Sequence, residues 1–98
     1  MRTKIIPTQI IQQIKERINL VDLVKSYLPL NRHLKAICPF HTEKTPSFVI
    51  YPLKKRWHCF GCGASGDVIS FVQKINKLSF SNAVYLLANQ EGILLPKS

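Results

Sequence analysis

Acidic residues are scarce in this chain: five Asp and Glu stand against 14 Lys and Arg among 98 residues, which gives a formal net charge of +9. The five carboxylates are scattered along the sequence and do not suggest a catalytic site built from paired metal ions. So basic a balance favours nucleic acid or an anionic membrane surface as the partner.

Long apolar runs are also missing. No stretch approaches the ~20 apolar residues of a membrane-spanning helix, and Arg2 and Lys4 are not followed by the apolar core of a signal peptide. The cysteines number three, an odd count that fits poorly with a secreted disulfide framework. We therefore expect one small globular domain over residues 1–98, located in the reducing cytoplasm and without a membrane partner.

What the sequence does contain is two pairs of metal-ligating residues. Cys38 and His41 stand three positions apart, as do Cys59 and Cys62, and 17 residues separate the two pairs. Each spacing lets a short turn direct two ligands at one ion, and two such turns form a tetrahedral site of three sulfurs and one nitrogen, which suits zinc. We predict one structural zinc ion, because four protein ligands leave no open position for a catalytic water.

Three histidines compete for the fourth ligand position. His58 adjoins Cys59 in a predicted strand, where neighbouring side chains face opposite sides, and His33 lies in a basic stretch without a paired ligand. His41 is therefore the predicted fourth ligand. A redox dithiol at Cys59 and Cys62 is the alternative, because that motif also lies between a strand and a helix, but it leaves the first ligand pair unexplained.

Hydrophobic periodicity predicts helices at both ends of the chain. One helix follows Pro7, and Asn19 caps a second. Two more begin near Asp67 and Ser79, where apolar residues recur at helical spacing. Strands are predicted over residues 30–37, 47–51 and 56–60, with the connection at 52–55. The fold class is thus α+β: a small metal-stapled antiparallel sheet within residues about 28–76, between helical flanks at about 7–27 and 79–91.

The hairpin between the ligand pairs combines cations with aromatic rings. Cations follow phosphates and rings stack on bases, at ~1–3 kcal/mol per stacked base, so this hairpin suits single-stranded nucleic acid. The competing interpretation places Phe48 and Trp57 in the core, holding the sheet to the helices, and leaves the basic loop as a solvated turn. The candidate nucleic-acid-binding residues are Lys44, Lys54, Lys55, Arg56, Trp57 and His58.

Two longer motifs surround the ligands. Residues 38–48 read Cys-Pro-Phe-His-x-Glu-Lys-Thr-Pro-Ser-Phe, and residues 57–71 read Trp-His-Cys-Phe-Gly-Cys-Gly-x-x-Gly-Asp-x-Ile-x-Phe. Both closely resemble the N-terminal zinc-binding domain of bacterial-type DNA primases. The resemblance extends from about Val21 to Ala88, although residues 31–36 lack the glycine and the Asn-Tyr pair that the family usually carries there.

The resemblance implies a zinc-ribbon fold, with ligands at Cys38, His41, Cys59 and Cys62. In that family the domain helps recognise the template trinucleotide on single-stranded DNA where RNA primers start, and DNA contacts are expected on the sheet face. Because 98 residues hold no polymerase domain, the chain is expected to act with a primase polymerase domain in cis or in trans. A replicative helicase would be reached through the parent protein. The alternative is a protein-interaction module that docks a polymerase or helicase without contacting DNA.

Overall fold

The computed structural model describes residues 6–40 and 46–93, in which an antiparallel sheet is packed against helices, as the predicted α+β class requires. The strands lie in the order β1-β2-β3-β4. Within the described ranges, no helix is long and apolar enough to cross a bilayer. The elements in chain order are α1 (Thr8–Arg17), α2 (Leu20–Lys25), β1 (Lys35–Ala36), β2 (Phe48–Tyr51), a 3-10 turn (Pro52–Lys54), β3 (Arg56–Cys59), β4 (Ser65–Gly66), α3 (Val68–Asn76) and α4 (Phe80–Gln90).

Polar caps fix the helix starts where the sequence predicts them. The Asn19 side chain accepts a hydrogen bond from the backbone N–H of Asp22 at 3.1 Å. Asp67 and Ser70 form a reciprocal capping box at the start of α3, and Ser79 caps α4. Each cap satisfies an N–H group that has no partner inside its helix.

The first strand is much shorter than the predicted span of residues 30–37. Asn31 accepts hydrogen bonds from the backbone N–H groups of His33 and Lys35, at 2.8 and 3.1 Å, which folds this segment into a turn. Leu34 adopts a φ of 60°, which no strand residue has. Only Lys35 and Ala36 pair with β2.

A fourth strand, which the sequence analysis did not predict, follows the second ligand turn. Ser65 and Gly66 pair with His58 and Trp57 of β3. A Cβ on Gly66 would collide with the Ser70 side chain and lie 3.3 Å from the Trp57 ring. The glycine is therefore needed for close approach between the sheet and the start of α3.

The two faces of the sheet differ in burial. On the inner face, Phe48 and Ile50 of β2 and Trp57 and Cys59 of β3 are each at most 3% exposed. These side chains form one core with the apolar faces of the helices, and the rings of Phe71 in α3 and Trp57 meet in a T-shaped contact at 6.3 Å between centroids. The alternate residues point the other way and are exposed or half-buried.

Candidate metal centre and the open face of the sheet

The three cysteines meet at one end of the sheet. Cys38 follows β1, Cys59 ends β3, and the ligating atoms of both lie within 4.8 Å of each other and of Cys62 Sγ. The Cys38 and Cys62 sulfurs are 4.0 Å apart. A tetrahedral zinc ion with Zn–S bonds of ≈ 2.3 Å separates its sulfur ligands by about 3.8 Å, so the cluster has the donors and the spacing that zinc requires.

Hydrogen bonds orient the sulfurs. The backbone N–H of Phe40 donates to the Cys38 sulfur, and the N–H of Cys62 donates to that of Cys59. The Ser47 hydroxyl lies 3.5 Å from the Cys59 sulfur. The second ligand turn closes through Gly63, whose N–H donates to the Cys59 carbonyl at 2.8 Å and whose φ of 80° suits glycine. Such surrounding contacts hold metal ligands in place.

The same contacts separate the thiol pKa values. Burial raises the pKa of Cys38 to about 12. Burial alone would also raise the pKa of Cys59, but hydrogen bonds from Ser47, from the Cys62 backbone and from the neighbouring thiols lower it to about 6. Negative charge therefore gathers on Cys59, while Cys38 must give up a proton when a metal binds.

An aromatic residue inside the first ligand pair anchors it to the core. The Phe40 ring packs against Trp57 at 5.3 Å, Phe71 at 5.8 Å and Phe48 at 6.2 Å between centroids. The sequence analysis included Phe40 in the motif at residues 38–48 but gave its side chain no role. An aromatic residue between two metal ligands could have indicated that this turn is anchored to the core, because the turn has to hold its ligands in fixed positions.

The structure corrects the prediction for Trp57. Its side chain is fully buried, and the indole N–H donates to the Asp67 carbonyl at 2.9 Å. The prediction that this ring is available to a nucleic-acid base is wrong, and the competing interpretation of Trp57 and Phe48 as core residues is confirmed. Strand alternation is the reason, since it turns Trp57 inward and its neighbours Arg56 and His58 outward.

The other candidate contact residues fall into two places. Arg56 and His58 lie on the outward side of β3, while Lys54 and Lys55 are exposed at the tip of the hairpin. Lys44 lies outside the described residues, as does the predicted ligand His41.

The outward side of the sheet, called the open face below, carries the predicted Arg56 and His58 together with residues that the sequence analysis did not assign to the site. Lys35, Val49, His58 and Ser65 stand opposite one another across all four strands. Strand alternation next to the buried Trp57 would have assigned Arg56 and His58 to this side, but Lys35, Val49 and Ser65 join it only through pairing across the strands. The open face comprises Lys35, Val49, Tyr51, Arg56, His58, Phe60 and Ser65.

Aromatic rings are exposed on the open face. Phe60 is 64% exposed, and its ring lies 4.4 Å from that of His58. Tyr51 is 38% exposed and stands opposite Arg56 in the β2–β3 register. The open face therefore presents rings beside cations.

Comparison with known proteins gives consistent results. The CHC2 zinc finger family model matches residues 6–98. The DNA primase of Thermotoga maritima is 46% identical over 91 residues, which cover 90% of this chain and 16% of that protein. The DNA primase of Mycolicibacterium smegmatis is 48% identical over 91 residues, covering 89% of this chain and 14% of that protein. The chain thus spans about one sixth of the length of these relatives.

A solved structure has the same fold. The crystal structure of the zinc-binding and RNA polymerase domains of Aquifex aeolicus primase superposes with a TM-score of 0.81 at 35% identity. The match covers 91% of this chain and 22% of that one. Together with the three clustered sulfurs, these similarities identify zinc as the metal of the cysteine cluster. The chain belongs to the CHC2 zinc finger family, the zinc-binding domain of DNA primases.

Proposed function

We propose that this domain binds single-stranded DNA template through the open face and so helps a primase select the sites where RNA primers begin. The observation that carries the proposal is the strand register, which places cations and exposed rings on one side of the sheet and the fixed core on the other. A rigid surface of this kind suits a flexible single strand, because the protein loses little conformational entropy on binding.

The chemistry of the open face matches an unpaired strand. Phe60 and Tyr51 supply rings on which bases can stack, and Lys35 and Arg56 supply charge for the phosphates. In single-strand-binding proteins such stacking is worth ~1–3 kcal/mol per base and requires no particular base. Sequence preference would come from polar groups beside the rings, of which His58 and Ser65 are the nearest on this face.

The metal would support this role without taking part in chemistry. Cys38, Cys59 and Cys62 supply three ligands, and we propose His41, three residues after Cys38, as the fourth. With all four positions filled by protein, zinc stabilises the fold. Primer synthesis itself would belong to a separate polymerase domain in cis or in trans, in the cytoplasm.

The test compares two exposed phenylalanines. Phe60→Ala removes a ring from the open face, and Phe80→Ala removes a 44% exposed ring at the start of α4, remote in sequence from the metal turns. Zinc-loaded protein, alone and with its polymerase domain, is titrated with labelled single-stranded DNA by fluorescence anisotropy at several salt concentrations. We expect Phe60→Ala to weaken binding by about fivefold to 150-fold, the equivalent of one stacked base, and Phe80→Ala to leave it unchanged.

Salt dependence and partner binding complete the test. Affinity should fall steeply with salt, because phosphate contacts release counterions. Unaltered zinc content in Phe60→Ala excludes damage to the neighbouring ligands. If the chain binds the polymerase domain while neither variant nor salt alters DNA affinity, the domain is a docking module and the proposal fails.

A further inference from the structure

A second basic feature lies at the tip of the β2–β3 hairpin, away from the cysteine cluster. The tip lies beside α1 and the start of α3, and the three elements border a half-open cavity of about 210 Å³, called the tip pocket below. Its lining residues are Lys15, Lys54, Lys55, Arg56, Asp67 and Val68.

The charges in the tip pocket do not balance. The Asp67 carboxylate is already engaged, because it lies 3.1 Å from Lys15 Nζ and accepts a hydrogen bond from the Ser70 N–H at 3.0 Å. In the part of the chain that the structure describes, no carboxylate pairs with Lys54, Lys55 or Arg56. Three consecutive cations therefore border one concavity, where their mutual repulsion favours an anion.

The size and lining indicate what that anion is. Sites that enclose a drug-sized ligand measure ≈ 300–1,000 Å³ and are mostly apolar. The tip pocket is smaller than such sites, which favours a ligand the size of a phosphate group over a whole nucleotide, and its lining side chains other than Val68 all carry a charge. Lysine ammonium groups and a planar arginine guanidinium are the donors that proteins use for phosphate oxygens. We propose that the tip pocket is a phosphate-binding site that shares Arg56 with the open face but none of its exposed aromatic rings.

The backbone at Lys55 allows this to be tested cleanly. Lys55 has a φ of 55° and a ψ of 41°, a left-handed conformation that glycine adopts more easily. Lys55→Gly therefore removes one pocket charge and relieves the backbone. Lys77, the residue after α3, has the same φ of 55° and does not line the pocket. Lys77→Gly makes the same change of charge and of backbone elsewhere, so it is a matched control.

The experiment is a titration of the zinc-loaded chain with inorganic phosphate and with pyrophosphate, followed by amide ¹H–¹⁵N chemical shifts at ionic strength held constant with chloride. We expect saturable shifts confined to residues 15, 54–56 and 67–68. Lys55→Gly should weaken binding about tenfold or more, as expected for one charge-assisted hydrogen bond, and Lys77→Gly should not. Lys54→Gln provides a second variant at which the fold is untouched.

Two results would overturn the proposal. One is the absence of saturable, phosphate-specific shifts at the pocket. The other is an equal loss of affinity in Lys55→Gly and Lys77→Gly, which would mean that phosphate responds only to the overall charge of the chain.

A parallel titration with a short single-stranded oligonucleotide identifies the source of the phosphate. If Lys55→Gly weakens oligonucleotide binding as well, the site takes a backbone phosphodiester; if it weakens only phosphate and pyrophosphate, the site takes a free phosphate group. Because these titrations do not involve Phe60, failure here leaves the role of the open face unaffected.

Discussion

The inner and open faces of one four-residue strand assign opposite tasks to neighbouring residues. In β3, Trp57 and Cys59 point inward and are fully buried, one in the aromatic core and one in the metal cluster. Arg56 and His58 point outward, the first exposed and the second half-buried. Trp57 therefore shares its buried environment with Phe71, 14 positions away in the chain, and not with its neighbours Arg56 and His58.

The division between a buried inner face and an exposed open face explains how so small a domain can carry a charged surface. A chain of 98 residues has a limited core, and its formal net charge of +9 opposes compaction. The metal and the aromatic cluster together fix the inner face, so the open face does not have to contribute to stability. We therefore expect substitutions on the inner face to change folding and those on the open face to change binding.

The largest expected effect is the loss of the metal. Chelation of zinc, or Cys59→Ala, should unfold the sheet, because structural zinc supplies ~10 kcal/mol or more in small modules. Trp57 is the single tryptophan and is fully buried, so its fluorescence reports the result directly. We expect its emission to shift to the red on chelation and to return when zinc is added. A metal-free protein that kept a buried tryptophan would show that the core alone holds the inner face.

The next largest effect is a difference in stability between substitutions at two adjacent residues of β3. Trp57→Ala should destabilise the zinc-loaded protein by about 3–5 kcal/mol, because it removes the ring that packs against Phe40, Phe48 and Phe71. Arg56→Ala, one position earlier on the open face, should change stability by no more than about 0.5 kcal/mol. Urea unfolding followed by circular dichroism measures both. Similar losses in the two variants would contradict the division between the faces.

A smaller effect is expected where the inner face meets α3. Gly66→Ala should cost about 1–3 kcal/mol, because the added methyl group collides with the Ser70 side chain that completes the capping box. Ser65→Ala, the adjacent residue on the open face, is the control and should be close to neutral. The same unfolding measurement applies. A neutral Gly66→Ala would mean that the start of α3 moves away from the sheet without cost.

Much of the fold could be predicted from local signals in the sequence. Asn19, Asp67 and Ser79 cap helices because their side chains accept from the backbone N–H groups three residues ahead, an interaction contained within one segment. The spacing of the cysteines is local within each pair as well. The three sulfurs were correctly predicted to meet, since an antiparallel hairpin returns Cys59 towards Cys38.

What could not be predicted depends on contacts between distant segments. β4 consists of two residues whose pairing with β3 shows no periodicity, and it forms because Gly66 lets the sheet approach α3. The direction of Trp57 is different, because strand parity alone places Trp57 on the same side as Cys59; the basic and aromatic composition of the hairpin indicated the wrong side. The tip pocket joins Lys15 of α1 to the hairpin across 39 positions of sequence, and no spacing rule connects them.

The smallest effect concerns Asp67, which joins the inner face to the tip pocket: its carbonyl accepts the Trp57 N–H, and its carboxylate pairs with Lys15. Burial raises the pKa of this carboxyl, but the Ser70 N–H and the Lys15 ammonium outweigh that effect and hold the pKa below its ordinary value of 3.8. A depressed folded-state pKa stabilises the protein above the unfolded-state value, and this contribution is lost as the pH falls through the folded-state pKa.

Asp67→Asn keeps the cap but removes the charge, so at pH 7 it should destabilise the protein by no more than about 1 kcal/mol. The difference between the two proteins should shrink as the pH falls below about 4, because protonated Asp67 is also neutral. Urea midpoints of both proteins measure this difference at each pH between 7 and 3 at which the protein-bound zinc, determined in parallel, is retained. Lys15→Gln should reproduce part of the loss at pH 7. If the two pH profiles stay parallel throughout, the charge of Asp67 contributes nothing to the junction, and apolar packing together with the hydrogen bonds of the cap and the indole holds the inner face to α3.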